Sequence, residues 1–299
     1  MPVVEIILDY FLQYIGSEYL KQLTYNLALW FQNLFERQIV KAFQVLFNKN
    51  NTFVIHRDND FLVINKPPNI LVNSNDLEKE TVQTILERKF PDLRNSKLTH
   101  SFHFAHRLDY STSGILCLPL NKSCCTKICK AFEKRIVEKY YIGILNGHFK
   151  GNNYFKEINF AIGEDSRKKE SKAMCSTKSG EFCENPRESR TFVYFCQNGY
   201  YKKTIPVTKA ILMPITGRRH QLRVHCCDIN QPILGDFTYG NDYDKTMNRM
   251  CLHAARINVP DQLDLSTSDP FIGTSFDGLT IDIEKIYSEI QALKQLLLQ

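Results

Sequence analysis

The chain has 299 residues, 43% hydrophobic and 23% charged, which suits one large globular domain with extensions and excludes a scaffold that needs staples to hold its core. Its net charge of +6 suits a polyanionic partner. Lys21, Arg37, Lys41 and Lys49 balance Glu5, Asp9, Glu18 and Glu36, so the whole surplus lies in residues 51–299.

Residues 1–50 read differently from the rest. Leu20, Leu23, Leu27, Trp30, Leu34, Ile39, Phe43 and Leu46 recur near helical spacing, with polar residues on the other face. The spacing predicts one or two amphipathic helices, a helical extension and a candidate docking element for a protein partner. No uncharged apolar span of about eighteen residues occurs, so no integral membrane segment is expected. The first twenty residues carry no Lys or Arg and three acids, unlike a mitochondrial presequence, and no basic region with a cleavage site marks a secretory signal.

The polar run Asn48 to Asn51 marks a boundary. Phe53–Ile55 and Phe61–Ile64 read as two short strands around the turn His56 to Asp60, the second stopped by Pro67. Thr81 to Lys89 reads as a helix stopped by Pro91. Ile115 to Leu118 reads as a buried strand fed by the polar loop His106-Arg107-Leu108-Asp109-Tyr110-Ser111-Thr112-Ser113-Gly114. A carboxylate beside an arginine at a strand mouth is a place where a rigid scaffold can present chemistry. Equally, it is a place where an ion pair ties down a loop.

Asn121 to Lys134 reads as a helix and Val137 to Gly147 as a strand. Residues 163–190 are polar and basic and read as a mobile surface loop, solvated or in contact with phosphates. Then comes Pro214-Ile215-Thr216-Gly217-Arg218-Arg219-His220-Gln221-Leu222-Arg223-Val224-His225, followed by Pro232-Ile233-Leu234-Gly235-Asp236-Phe237-Thr238-Tyr239-Gly240. Gly235 and Gly240 suggest tight turns. Residues 261–299 read as a C-terminal extension ending in a helix. The ten cysteines contain no CxxC pair, and His220 and His225 have no third ligand at zinc spacing. Neither a metal nor a cofactor is therefore expected. Reduced thiols imply a reducing compartment, the cytoplasm ahead of mitochondrion or nucleus.

These words resemble the RluA-type pseudouridine synthases. His106 to Gly114 is similar to that family's motif II, Phe61 to Pro67 to motif I, and Lys139-Tyr140-Tyr141 to Gly147 to its Lys-x-Tyr strand. Thr216 to His225 and Pro232 to Gly240 are similar to its later motifs, and Arg249 to Ala254 to its closing Leu-His-Ala strand. The Glu184-Asn185-Pro186 and Asp269-Pro270-Phe271 tripeptides look like one animal subgroup of the family. The matched blocks span residues 52–260, taken as the catalytic domain.

The resemblance implies an α+β pseudouridine synthase catalytic fold, a mixed and mostly antiparallel sheet flanked by helices and loops. It implies Asp109 as the catalytic residue, Tyr141 as the active-site tyrosine, and Arg223 as the partner that aims Asp109. It further implies an RNA contact at Arg107 where a flipped base has left. His106, Thr112, Arg218, Arg219 and His220, from the same two motifs, join it as expected RNA-binding positions. The expected activity is isomerisation of uridine in transfer, ribosomal or messenger RNA, with no DNA partner. The competing reading is a non-catalytic RNA-binding protein that keeps the fold.

Overall fold

The computed structural model describes residues 53–297 apart from 77, 153, 274 and 280. The helices expected in residues 1–50 lie outside them. Strands β1 (Val54–Arg57) and β2 (Phe61–Lys66) pair antiparallel. In the turn between them Asp58 Oδ1 accepts the Asp60 and Phe61 N–H groups. Thr81 opens helix α1 (Val82–Lys89) with a capping box shared with Thr84. Strand β3 (Ser113–Pro119) is buried along its whole length. Asn121 caps helix α2 (Lys122–Glu133) by accepting the Cys124 N–H. Strands β4 (Glu138–Asn146) and β5 (Phe155–Ile158) follow.

Residues 163–190 depart from the expected mobile loop. They form most of a separate three-stranded sheet in which β6 (Ile162–Asp165) lies between β7 (Met174–Ser176) and β8 (Cys183–Arg187). Arg167, Lys168, Lys169 and Lys178 occupy the connecting turns, while Ile162, Ala173, Cys175 and Cys183 are buried. Strands this short leave too few alternating positions for the pattern to stand out from the charge around it.

Strands β9 (Thr191–Tyr201) and β10 (Ile205–Pro214) make a long hairpin, followed by helix α3 (Gln221–Asp228). Strands β11 (Leu252–Val259), β12 (Leu263–Ser266) and β13 (Phe276–Asp277) then lead to helix α4 (Ile283–Leu297). The main sheet runs β1-β2-β3-β11-β4-β10-β9-β13, with β12 on β11 and β5 on β9. Its pairings are antiparallel except β3 with β11, so the mixed, mostly antiparallel α+β fold is as expected.

The segment beyond residue 260 is no appendage. Phe271, Leu279, Ile286, Tyr287 and Ile290 join Tyr140, Ile142 and Ile211 in one core cluster. The fully buried Lys209 ammonium bonds Asp269 Oδ2 at 2.6 Å and the carbonyls of Phe271 and Leu279. The described residues after 260 therefore belong to the same unit as those before it.

Alternation along the strands separates two faces. One carries that cluster and, farther along, the cluster of Val63, Ile115 and Cys117 under α2. The other carries Leu145 and Leu212 under Leu222 and Cys226 of α3, and Leu62, Ile64 and Leu116 under Val82 and Leu86 of α1. Between the last two clusters, one row of paired residues crosses five strands: Lys66, Gly114, Ala254, Tyr141 and Leu212. Its second and third members are small, so little side chain covers the sheet there.

Gly114 has φ +111°, and a Cβ on it would lie 2.2 Å from the Ala254 carbonyl oxygen. Gly114→Ala must strain that backbone and push β3 off β11. A loss of about 2 kcal/mol or more is expected in urea unfolding. An unchanged midpoint would show that the two strands separate at little cost.

Candidate active site

Asp109 stands in the loop that enters β3. The Thr112 N–H donates to its carbonyl at 3.2 Å and closes a tight turn. Beneath the turn, the Lys66 ammonium at the end of β2 is fully buried and donates to the carbonyls of Pro67, Ile70 and Tyr110 at 3.0, 2.8 and 3.1 Å. Lys66 therefore clamps the residue that follows Asp109. Burial lowers the Lys66 pKa to about 7, with the Asp109 charge acting in the opposite direction.

The second motif becomes α3, and its residues divide the work by helix face. Gln221 accepts from Thr216 Oγ1 and the Arg218 N–H, and donates to Arg190 O and Thr191 Oγ1. One turn on, His225 Nδ1 lies 2.9 Å from Thr191 Oγ1 and Nε2 lies 2.9 Å from Phe160 O. These two residues bolt the helix to the start of β9 and to the connecting segments beside it. Arg223 is left to face Asp109, with Nη1 at 3.4 Å from Oδ2.

Its stronger partner is Asp236. Arg223 Nε and Nη2 each donate to an Asp236 oxygen at 2.7 Å, and Nη2 also reaches Thr238 Oγ1 at 2.9 Å. Burial opposes the Arg223 charge, but the Asp236 hydrogen bonds and the fields of Asp236 and Asp109 outweigh it and push its pKa up. Asp236 was not among the expected site residues, although it lies inside a quoted motif.

Tyr140 and Tyr141 point to opposite faces, as neighbours on a strand must. Tyr140 is buried against Tyr287 and bonds Glu138. Tyr141 takes the Asp109 side. Burial raises its pKa, and the Asp109 charge raises it further, so it is a neutral phenol. His220 begins α3 in left-handed backbone, φ 54°. Its Nδ1 lies 2.8 Å from Tyr239 Oη, and burial lowers its pKa to about 4 against the field of Asp109. Tyr239 Oη also takes the Met174 N–H of β7, and its ring lies 4.9 Å from the Arg223 guanidinium carbon. Lys66, Tyr141, His220, Arg223 and Tyr239 thus all sense the Asp109 charge.

The expected RNA-binding residues separate. Arg107 and Arg219 are exposed, while Arg218 is half-buried with Nε on the Glu188 carbonyl. Thr112 is 2% exposed and is not presented to a partner in this arrangement. His106 accepts the Cys117 N–H on Nε2 at 2.9 Å, stacks on Phe132, and has its pKa lowered by burial to about 4. Both residues hold the loop in place, because β3 needs its edge N–H satisfied and its entrance packed. The ten cysteines are free thiols. Among the described residues, no group of three or more His, Cys, Asp or Glu could hold a metal ion. No helix there is long and apolar enough to cross a membrane.

The mixed, mostly antiparallel sheet, entered at β3 by a loop of this wording, is the fold of a pseudouridine synthase. The model of the RNA pseudouridylate synthase family matches residues 60–228, and the chain belongs to that family. It is 38% identical over 228 residues to RNA pseudouridylate synthase domain-containing protein 1 of Mus musculus, covering 74% of this chain and 73% of that protein. It is 30% identical over 217 residues to the dual-specificity RNA pseudouridine synthase RluA of Haemophilus influenzae, covering 69% and 85%. The solved structure of human RNA Pseudouridylate Synthase Domain Containing 1 superposes with a TM-score of 0.68 at 34% identity, covering 80% of this chain and 94% of that one. The chain is thus an RNA-modifying isomerase, and its activity at that level is RNA pseudouridylation.

Proposed function

We propose that the chain converts uridine to pseudouridine in structured RNA by using Asp109 at C1′ of a uridine flipped out of its stack. The reaction breaks the C1′–N1 bond, turns the uracil and joins C5 to C1′; C5 loses its proton and N1 gains one, so no atom is gained or lost overall. It consumes no oxidant or reductant. A carboxylate serves it either by attacking C1′ or by removing the C2′ proton to give a glycal.

One observation carries the reading: the Asp109 carboxylate, held on a clamped turn, lies 3.4 Å from Arg223, and its charge reaches Tyr141, which shares a sheet row with the small residues Gly114 and Ala254. That row offers room for a planar base. Tyr141 is the ring to stack on it, and as a neutral phenol it can exchange a proton. Arg107, exposed two residues before Asp109, is suited to fill the space the uracil vacates, which offsets part of the few kcal/mol that flipping costs. Arg219 and the basic turns of the small sheet supply contacts to phosphates.

The test is direct. Protein-free cellular RNA is incubated with the purified chain and pseudouridines are mapped at single-nucleotide resolution. New sites with the wild-type chain are the expected result. Salt-sensitive RNA binding without any new site would make the chain a non-catalytic RNA-binding protein and sink the proposal.

A further inference from the structure

Arg223 is bonded to two aspartates, and each is followed in sequence by an exposed aromatic residue. Tyr110 follows Asp109 and is 52% exposed, and Phe237 follows Asp236 and is 49% exposed. Three of their close sequence neighbours are buried by contrast: Leu108 is 8%, Thr112 2% and Asp236 1% exposed. A soluble protein leaves single apolar side chains in water often enough. What sets these two apart is how firmly the backbone holds them out.

Both occupy the first central position of a tight turn. The Asp109 turn is closed by the Thr112 N–H, and the Tyr110 carbonyl is held by the Lys66 ammonium and the Ile70 N–H. The Asp236 turn is closed by the Gly240 N–H on the Asp236 carbonyl, and Asp236 Oδ1 accepts the Thr238 and Tyr239 N–H groups. Successive Cα atoms are about 3.8 Å apart. Each aromatic is therefore rooted one residue from a carboxylate that touches the same guanidinium. Tyr110 and Phe237 are thus each rooted beside one centre, on pre-set turns whose backbone loses little freedom when a ligand docks. The exposed cations Arg107 and Arg219 lie three and four residues from Tyr110 and Arg223 respectively.

We propose that Tyr110 and Phe237 are two stacking platforms for the unpaired nucleobases on either side of the target nucleotide. The partner chemistry is single-stranded RNA: planar bases on the rings and phosphates on the arginines. Every base has a π-face, so such platforms accept many sequences while demanding that the neighbours be unpaired. The substrate is thereby a uridine in a loop or bulge, not within a continuous stem. This rests on the function proposed above and adds which part of the RNA the enzyme grips.

Two probes test it with the full-length chain. One is a fluorescent single-stranded RNA of about twelve nucleotides with a central uridine between two purines, and the other is the same RNA with those purines abasic. Wild type is expected to bind the intact RNA roughly thirtyfold more tightly by anisotropy, the lower end for two stacked bases. Tyr110→Leu and Phe237→Leu should each lose part of that ratio, and the double variant should bind both RNAs alike. Tyr110→Trp and Phe237→Trp should retain it. Both positions are exposed, so the thermal midpoints should hold. Equal wild-type affinity for the two RNAs overturns the proposal, as does an equal loss on both in the Leu variants. Binding is read without turnover. A chain that discriminates between the probes yet forms no pseudouridine therefore overturns the catalytic reading and supports this one.

Discussion

Arg223→Leu is expected to lower stability by about 3–5 kcal/mol and to abolish pseudouridine formation. The stability loss comes mostly from Asp236, whose side chain is fully buried and which receives two guanidinium bonds at 2.7 Å. Leucine fills part of the volume but donates nothing, and Asp236 keeps only the Thr238 and Tyr239 N–H groups. The activity loss comes from Asp109, which loses the cation 3.4 Å away. The double variant Arg223→Leu/Asp236→Leu separates the two effects. Replacing both members of a buried pair with apolar residues recovers much of the stability. Asp109 still lacks its guanidinium there, so turnover should not return. Denaturant unfolding and a single-turnover assay on both variants decide the matter. A stable and active Arg223→Leu chain would mean that neither contact matters.

Much of the fold was legible because its signals are local. The β1–β2 turn, the helices that start beside Thr81 and Asn121 and the Pro91 stop each depend on a few adjacent residues, and each agrees with the sequence. The small sheet of β6, β7 and β8 was not legible. Its burial depends on packing against neighbours distant in sequence, as in Ser176 on Asp228 and Met174 on Tyr239. The same holds for the C-terminal segment, whose place is set by Lys209 reaching Asp269 across 60 residues.

Within the site, motif wording pointed to Asp109, Tyr141 and Arg223, and strand alternation explains why Tyr141 and not Tyr140 takes that side. Asp236 and Lys66 went unrecognised for a different reason. Each lies in a quoted motif, yet nothing in a run of letters tells a clamp from a turn residue. Only the bidentate bond and the three carbonyls around the ammonium reveal the work they do.

Asp109→Asn is expected to reduce isomerisation by at least about 10³-fold while leaving the fold nearly untouched. The amide matches the carboxylate in size, so the turn closed by Thr112 and the Lys66 clamp both remain, since each acts on backbone oxygens. It removes the charge that attack at C1′ or proton removal at C2′ requires. The stability cost should stay within about 1 kcal/mol, because the Asp109 side chain is 30% exposed and its 3.4 Å contact is the weaker of Arg223's two. Arg223 itself remains neutralised by Asp236. RNA affinity should hold within a few-fold, since the exposed cations and the exposed Tyr110 and Phe237 are unchanged. The contrast with Arg223→Leu is the informative quantity: one variant loses chemistry alone, the other loses chemistry and packing together. Turnover of Asp109→Asn within tenfold of wild type, in protein shown by mass spectrometry to be free of deamidation back to aspartate, would move the catalytic role to another residue.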